Sequence, residues 1–182
     1  SPKAIASILN GITRRLSLSE SCEITLESNP GSAEARKYSA YKTAGINRLS
    51  IGIQSFEDDK LERLGRVHSA NEAIRAVDMA HEVQFKRVNV DLMYGLPHQN
   101  PDNALSDVQV GLSLGVEHIS WYQLTIERNT AFWSSPPKLP AEELIEPMQS
   151  QVARLMAEES MTQYEVSAWS KKDQEARHNL NY

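Results

Sequence analysis

Hydrophobic residues recur at two different spacings along this chain. In residues 2–16 they lie three and four positions apart, which is typical of an amphipathic helix. In residues 47–54 they alternate with small or polar residues, and a similar alternation begins at Arg87, which predicts strands. Because the two spacings alternate along the sequence, helices and strands should alternate as well.

The full pattern predicts the limits of most elements. Strands are expected over residues 23–27, 47–54, 117–125 and 163–167, with one more from Arg87 to the Tyr94-Gly95-Leu96-Pro97 turn, and helices are expected over residues 2–16, 32–44, 70–83, 101–114 and 140–160, with a short one around Leu61. Ser32, Ser69 and Asn100 should cap the helices that they precede. Pro147 should kink or split the last helix.

The alternation indicates an α/β fold in which helices connect parallel strands, either as a barrel or as part of one. Each of the first four strands ends near a polar residue: Glu27, Gln54, Asp91 and Thr125. In a parallel sheet these side chains would gather on one rim and could bind a hydroxylated, positively charged ligand. Each of these side chains alone could equally well form a hydrogen bond to the backbone of a nearby loop. Four such residues at corresponding strand ends favour a ligand site.

Two further residues are candidates for ligand binding. Arg66 could hold a carboxylate with two hydrogen bonds, although an ion pair with Glu62 four residues earlier is the simpler explanation. His178 lies in the tail HNLNY, and a neutral imidazole can ligate a metal or a haem iron. A single histidine in a tail is more often structural or exposed.

Composition narrows the possible classes of protein. The chain has 182 residues, a formal net charge of −5 and no long run of Lys and Arg, which argues against a nucleic-acid partner. No apolar run is long enough for a membrane span, although a peripheral contact with a membrane stays open. Cys22 is the single cysteine, so the chain cannot form an internal disulfide, and the default compartment is the reducing cytoplasm.

Four segments together resemble one known family. The sequences ITLESNPG, NRLSIGIQSF, LERLGRVH and VNVDLMYGLPHQ, in this order, are similar to the radical S-adenosylmethionine (SAM) proteins of the coproporphyrinogen III dehydrogenase group. The tail HNLNY resembles the beginning of the HNxxYW motif of the HemW-type haem chaperone branch. The resemblance covers essentially the whole chain.

The resemblance implies a fold and a set of sites. It implies a partial radical SAM (β/α) barrel over residues 1–168, followed over residues 169–182 by the start of a C-terminal segment. It places SAM contacts at five positions, Glu27, Gln54, Arg66, Asp91 and Thr125, with Asp91 binding the ribose hydroxyls. It also implies that His178 contributes to a separate haem site, and that haem passes from there to a recipient protein.

The chain departs from the family at the iron–sulfur cluster. The CxxxCxxC loop, whose three thiolates hold a [4Fe–4S] cluster, is absent, and the single Cys22 cannot replace it. We therefore expect the cluster ligands upstream of Ser1, and the chain to be a fragment truncated at its first barrel strands.

Two other functions stay open. The first is the enzyme branch of the family, in which a 5′-deoxyadenosyl radical drives the oxidative decarboxylation of coproporphyrinogen III. The second makes no use of the resemblance: Glu27 and Asp91 would form an acid–base pair that acts on a small metabolite in a partial barrel.

Overall fold

The computed structural model describes residues 1–181 and consists of one six-stranded sheet with helices packed against it. The strands are β1 (Thr25–Ser28), β2 (Arg48–Gln54), β3 (Val88–Tyr94), β4 (His118–Gln123), β5 (Thr162–Glu165) and β6 (Ala168–Ser170). The helices are α1 (Pro2–Thr13), α2 (Ser32–Ala35), α3 (Tyr38–Ala44), α4 (Asp58–Arg63), α5 (Ala70–Glu82), α6 (Pro101–Ser113), α7 (Ala131–Ser134) and α8 (Ile145–Glu158). Tyr182, the last residue of the predicted HNxxY segment, lies outside the described residues.

The predicted α/β fold is confirmed, and the sheet is mixed rather than purely parallel. Strands β1 to β4 are parallel neighbours in sequence order, as helical crossovers require. The single strand expected over residues 163–167 is instead a hairpin, because the chain reverses at Val166 and Ser167. Its second strand, β6, pairs antiparallel with β4, and the domain boundary predicted after residue 168 falls within β6.

The two faces of the sheet have different chemistry because side chains alternate along each strand. The apolar residues Leu49, Ile51 and Ile53 of β2 are fully buried, and they belong to the same core as Val90 and the helices. Most of the residues that alternate with the core positions on β2, β3 and β4 are polar, and they lie on the opposite face. The fold therefore places its core on the helix side of the sheet and a polar surface on the other side.

Helix boundaries follow the sequence signals in most places. Ser69 and Asn100 each form the capping interaction expected of them, and both caps are reciprocated by the residue three positions later. Gly45 ends α3 in the left-handed conformation with φ of 112°, which a glycine adopts without strain. These local contacts fix where each crossover helix begins or ends.

Two helix predictions were wrong. Ser32 is the first residue of α2 with Gly31 before it, and the expected helix over 32–44 is broken into α2 and α3. Pro147 neither kinks nor splits α8, because it lies in the first turn of the helix, where a missing N–H costs no helical hydrogen bond. No helix within residues 1–181 is long and apolar enough to cross a membrane.

Candidate functional site

The polar face of the sheet forms a cavity of about 250 Å³, which we call the polar cavity. Its lining includes Glu27, Ser50, Asn89, Asp91 and His178. The first four are contributed by β1, β2 and β3, whereas His178 belongs to the C-terminal segment, residues 171–181, which packs over the sheet. A second cavity of about 380 Å³ also borders Asp91, so this carboxylate lies between two adjoining spaces.

Asp91 lies in the middle of β3, not near its carboxyl end as predicted, because the strand continues to Tyr94. The Asn89 amide donates to Asp91 Oδ1 at 2.7 Å, and the Ser50 hydroxyl donates to Oδ2 at 3.2 Å. Burial raises the pKa of Asp91, the hydrogen bond from Asn89 acts in the opposite direction, and the charge of Glu27 raises it further. The carboxylate is thus held in a fixed orientation beside an open space.

Gln54 ends β2 with a backbone conformation that residues other than glycine seldom adopt, at φ of 74°. Its side chain is buried, and its Oε1 accepts a hydrogen bond from the Tyr122 hydroxyl at 2.8 Å. Tyr122 in turn lines the polar cavity. Gln54 therefore reaches the cavity through Tyr122, and its strained backbone must be stabilised by the turn that follows.

Asp107 of α6 stabilises that turn. Its Oδ1 accepts from the Phe56 N–H at 2.6 Å and its Oδ2 accepts from the Ser55 hydroxyl at 2.8 Å. The Asp107 side chain is buried, and this burial raises the pKa of Asp107 to about 7. The two hydrogen bonds act in the opposite direction but are outweighed by the burial. Asp107 thus carries an energetic cost when it is ionised inside the protein.

Replacing Asp107 with Asn should remove a pH dependence of stability. The pKa of Asp107 is about 7 in the folded protein against 3.8 for the free carboxyl, so the free energy of unfolding should fall as the pH rises through this window. The loss should total roughly 2–4 kcal/mol in the wild type. Urea unfolding from about pH 4 to about pH 8 measures it, and an Asp107→Asn curve as steep as the wild type would contradict this assignment.

Arg66 and Thr125 lie outside the polar cavity. Arg66 is exposed and lines a different cavity with Asn29 and Glu72, and it takes part in none of the ion pairs found within residues 1–181. Its positive charge nevertheless opposes the burial that raises the pKa of Tyr122, which places the guanidinium within electrostatic range of the cavity. Thr125 lies beyond the end of β4 and donates to Glu127 Oε1 at 3.1 Å.

His178 lies in the polar cavity with Glu27 and Asp91, where a separate site was expected. Hydrogen bonds to the sheet explain this placement. Glu23 accepts from the backbone N–H of Arg177 at 2.9 Å, and the carbonyl of Gln174 accepts from the buried Arg48 at 2.8 Å. These bonds hold the chain just before His178 against the polar face.

Several residues of the polar face were missed by the search of strand ends, among them Arg48, Asn89 and His118. All three lie on the same face as Asp91, because they occupy alternate positions within their strands. Polar residues that alternate with apolar ones inside β2, β3 and β4 were the available signal. The strand interiors, and not only their ends, carry the chemistry of this site.

The donor set of the polar cavity fits the sugar of a nucleoside. Carboxylate and amide oxygens accept hydrogen bonds from ribose hydroxyls, and serine and tyrosine hydroxyls can act in both directions. The same residues do not fit an iron–sulfur cluster. Cys22 is the sole thiol, and no group of three His, Cys, Asp or Glu side chains within residues 1–181 is arranged to hold a metal ion.

Comparisons with known proteins identify the family. The sequence pattern of the radical SAM superfamily matches residues 3–109. The haem chaperone HemW of Haemophilus influenzae is 47% identical over 182 residues, which is 100% of this chain and 48% of that protein. HemW of Escherichia coli is 45% identical over 179 residues, which is 98% of this chain and 47% of that protein.

A solved structure supports the same fold. Coproporphyrinogen III oxidase (HemN) from Escherichia coli, described as a radical SAM enzyme, superimposes with a TM-score of 0.84 and 19% identity over 95% of this chain and 41% of its own. The chain spans about half the length of the curated relatives it matches. The resemblance of the four sequence segments to this group is therefore confirmed, and the chain belongs to the radical SAM superfamily.

Proposed function

We propose that this chain forms part of a haem chaperone that binds SAM and haem, as the name of its HemW relatives suggests. The observation that carries the proposal is the meeting of Glu27, Asp91 and His178 in the polar cavity. Two carboxylates suit the hydroxyl groups of SAM, and an imidazole suits the iron of haem. A recipient protein would then take up the haem.

In this proposal the ribose of SAM binds to Asp91, with the other predicted SAM contacts around it. Glu27 is exposed at the edge of the cavity and can accept hydrogen bonds or face the positive sulfonium. Gln54 and Tyr122 form one polar wall through their mutual hydrogen bond. Arg66 and Thr125 would reach SAM only from outside the cavity.

The proposed haem contact is His178. Its side chain is exposed although its neighbours are hydrogen-bonded to the rest of the fold, so the backbone at His178 is held in place while the imidazole stays accessible to a large planar ligand. The superfamily to which the chain belongs also implies a [4Fe–4S] cluster, and the described residues supply no ligands for it.

Replacing His178 with Ala in the full-length protein should weaken haem binding by about tenfold or more, because an iron–nitrogen bond is lost. Haem titration followed by visible absorption measures both the affinity and the change of axial ligand. His81→Ala is the matched control, because His81 is an exposed imidazole on α5 outside the cavity. Equal haem binding in wild type and His178→Ala would refute the role of His178.

One observation favours the acid–base alternative. Burial raises the pKa of Asp91, whereas Glu27 is exposed, and carboxyl groups in such different environments can divide the roles of acid and base. Haem titration separates the two functions, because a protein that uses this pair on a small metabolite should bind haem no better than a control protein. A decarboxylation assay with coproporphyrinogen III, in the presence of a reductant, tests the enzyme branch in the same way.

A further inference from the structure

A chain of buried and partly buried hydrogen bonds connects the polar cavity to the C-terminal segment. The Asn89 amide, which donates to Asp91 Oδ1, also contacts His118, whose Nδ1 lies 2.6 Å from Asn89 Oδ1. On the other side of the ring, His118 Nε2 lies 2.5 Å from the Tyr164 hydroxyl. These hydrogen bonds therefore link β3 to β4 and β4 to β5, and they end at the segment that contains His178.

The direction of each hydrogen bond follows from the partners. Asn89 Oδ1 accepts from the Ser120 N–H at 3.0 Å, which identifies this atom as the carbonyl oxygen. His118 must then donate from Nδ1, and because burial lowers the pKa of His118 to about 3 the ring is neutral and its Nε2 is an acceptor. Tyr164 therefore donates its hydroxyl proton to His118.

The oxygen of Tyr164 then has two lone pairs for the C-terminal segment. The Ala176 N–H donates to it at 3.0 Å, and the Asn179 amide donates to it at 3.0 Å. These two residues flank His178, so a single oxygen atom fixes the chain on both sides of the imidazole. All three hydrogen-bonding positions of the hydroxyl are used, and the orientation of the hydroxyl is set by His118.

We infer that Tyr164 is a positioning residue that holds His178 at the polar cavity, and that His118 and Asn89 orient its hydroxyl. The inference rests on the proposed function, because it concerns the binding of haem by His178. Tyr164 does not touch the ligand and acts through the segment that contains His178. The alternative is that the hydroxyl only stabilises the fold, in which case its loss would not alter the haem site specifically.

Replacing Tyr164 with Phe in the full-length protein should weaken haem binding about tenfold, because three polar groups lose a partner and the segment loses its attachments at Ala176 and Asn179. The absorption spectrum should change in the same direction as in His178→Ala. In the double variant, haem should bind no more weakly than in His178→Ala alone, because a residue that acts through His178 has no effect once the imidazole is gone.

Two further variants make the test specific. Tyr41→Phe is the matched control, because its hydroxyl is also partly buried and donates to a carboxylate, Glu34 Oε1, at 2.7 Å on α2, away from the cavity. Haem affinity should be unchanged in this variant. Asn179→Ala removes one of the two bonds that the C-terminal segment donates to Tyr164, while the hydrogen bond between Tyr164 and His118 stays intact. This variant replaces Tyr164→Phe in the test if Tyr164→Phe does not fold.

The outcomes separate the two proposals. If His178→Ala weakens haem binding and neither Tyr164→Phe nor Asn179→Ala does, the positioning role is overturned and the proposed function stands. The positioning role would also be overturned if the double variant lost haem affinity by the product of the two single losses, since Tyr164 would then act independently of His178. A wild-type protein that binds no haem would overturn the proposed function and the positioning role together.

Discussion

Replacing Asp91 with Asn should weaken SAM binding by about 10- to 100-fold, because a carboxylate that accepts two ribose hydroxyl groups contributes charge-assisted hydrogen bonds. An amide offers one acceptor in place of two. The measurement is calorimetric or equilibrium-dialysis titration of SAM with the cluster-loaded, full-length protein.

The Asp91 variant should fold as well as the wild type. Burial raises the pKa of Asp91, so its ionised form is costly and a neutral amide relieves that cost. A loss of SAM affinity can then be assigned to the site. Asp78→Asn on the exposed surface of α5 is the matched control and should bind SAM normally. Unchanged affinity in Asp91→Asn would exclude Asp91 as the ribose contact and leave the acid–base alternative open.

The sequence predicted the helix side of the sheet well because that side depends on local signals. Apolar alternation located β2, and capping residues such as Ser69 and Asn100 located the starts of α5 and α6. The errors in the helix predictions arose where the role of a residue depends on its position within the first turn of a helix. Ser32 is the first residue of α2 and not its cap, and Pro147 lies in the first turn of α8 and not in the helix interior; these differences change their roles.

Of the five predicted SAM contacts, only Glu27 and Asp91 line the polar cavity, because strand ends are not aligned across the sheet. Glu27 pairs with Ser50 of β2, and Ser50 pairs with Asn89 of β3, so Asp91 lies two residues further along β3 than the position level with Glu27. A bulge before Gln54 shifts its pairing further. Register depends on long-range pairing, so the sequence could identify polar positions on each strand but not their relative heights.

The place of His178 could not be predicted from the sequence, because it depends on contacts between distant parts of the chain. Glu23 near β1 binds the backbone of Arg177, and Tyr164 of β5 binds Asn179. None of these pairs has a spacing that local patterns reveal. The meeting of the tail with the polar face is thus a property of the folded sheet.

Replacing Glu23 with Gln should reduce the free energy of unfolding by about 3 kcal/mol, because it leaves a buried guanidinium without a counter-charge. Glu23 Oε2 lies 2.6 Å from Arg87 and 3.4 Å from Arg48, and the Arg48 side chain is only 2% exposed. Burial already lowers the pKa of Arg48, and Glu23 is the first of the charges that counteract this. Urea unfolding measures the change.

The double variant Glu23→Gln with Arg48→Met should recover much of that loss, since the unpaired buried charge is removed as well. Lys37→Gln is the control for a surface ion pair: Lys37 is 45% exposed and contacts Glu34 at 2.9 Å, so its loss should cost less than about 1 kcal/mol. A Glu23→Gln protein as stable as Lys37→Gln would mean that Arg48 needs no counter-charge.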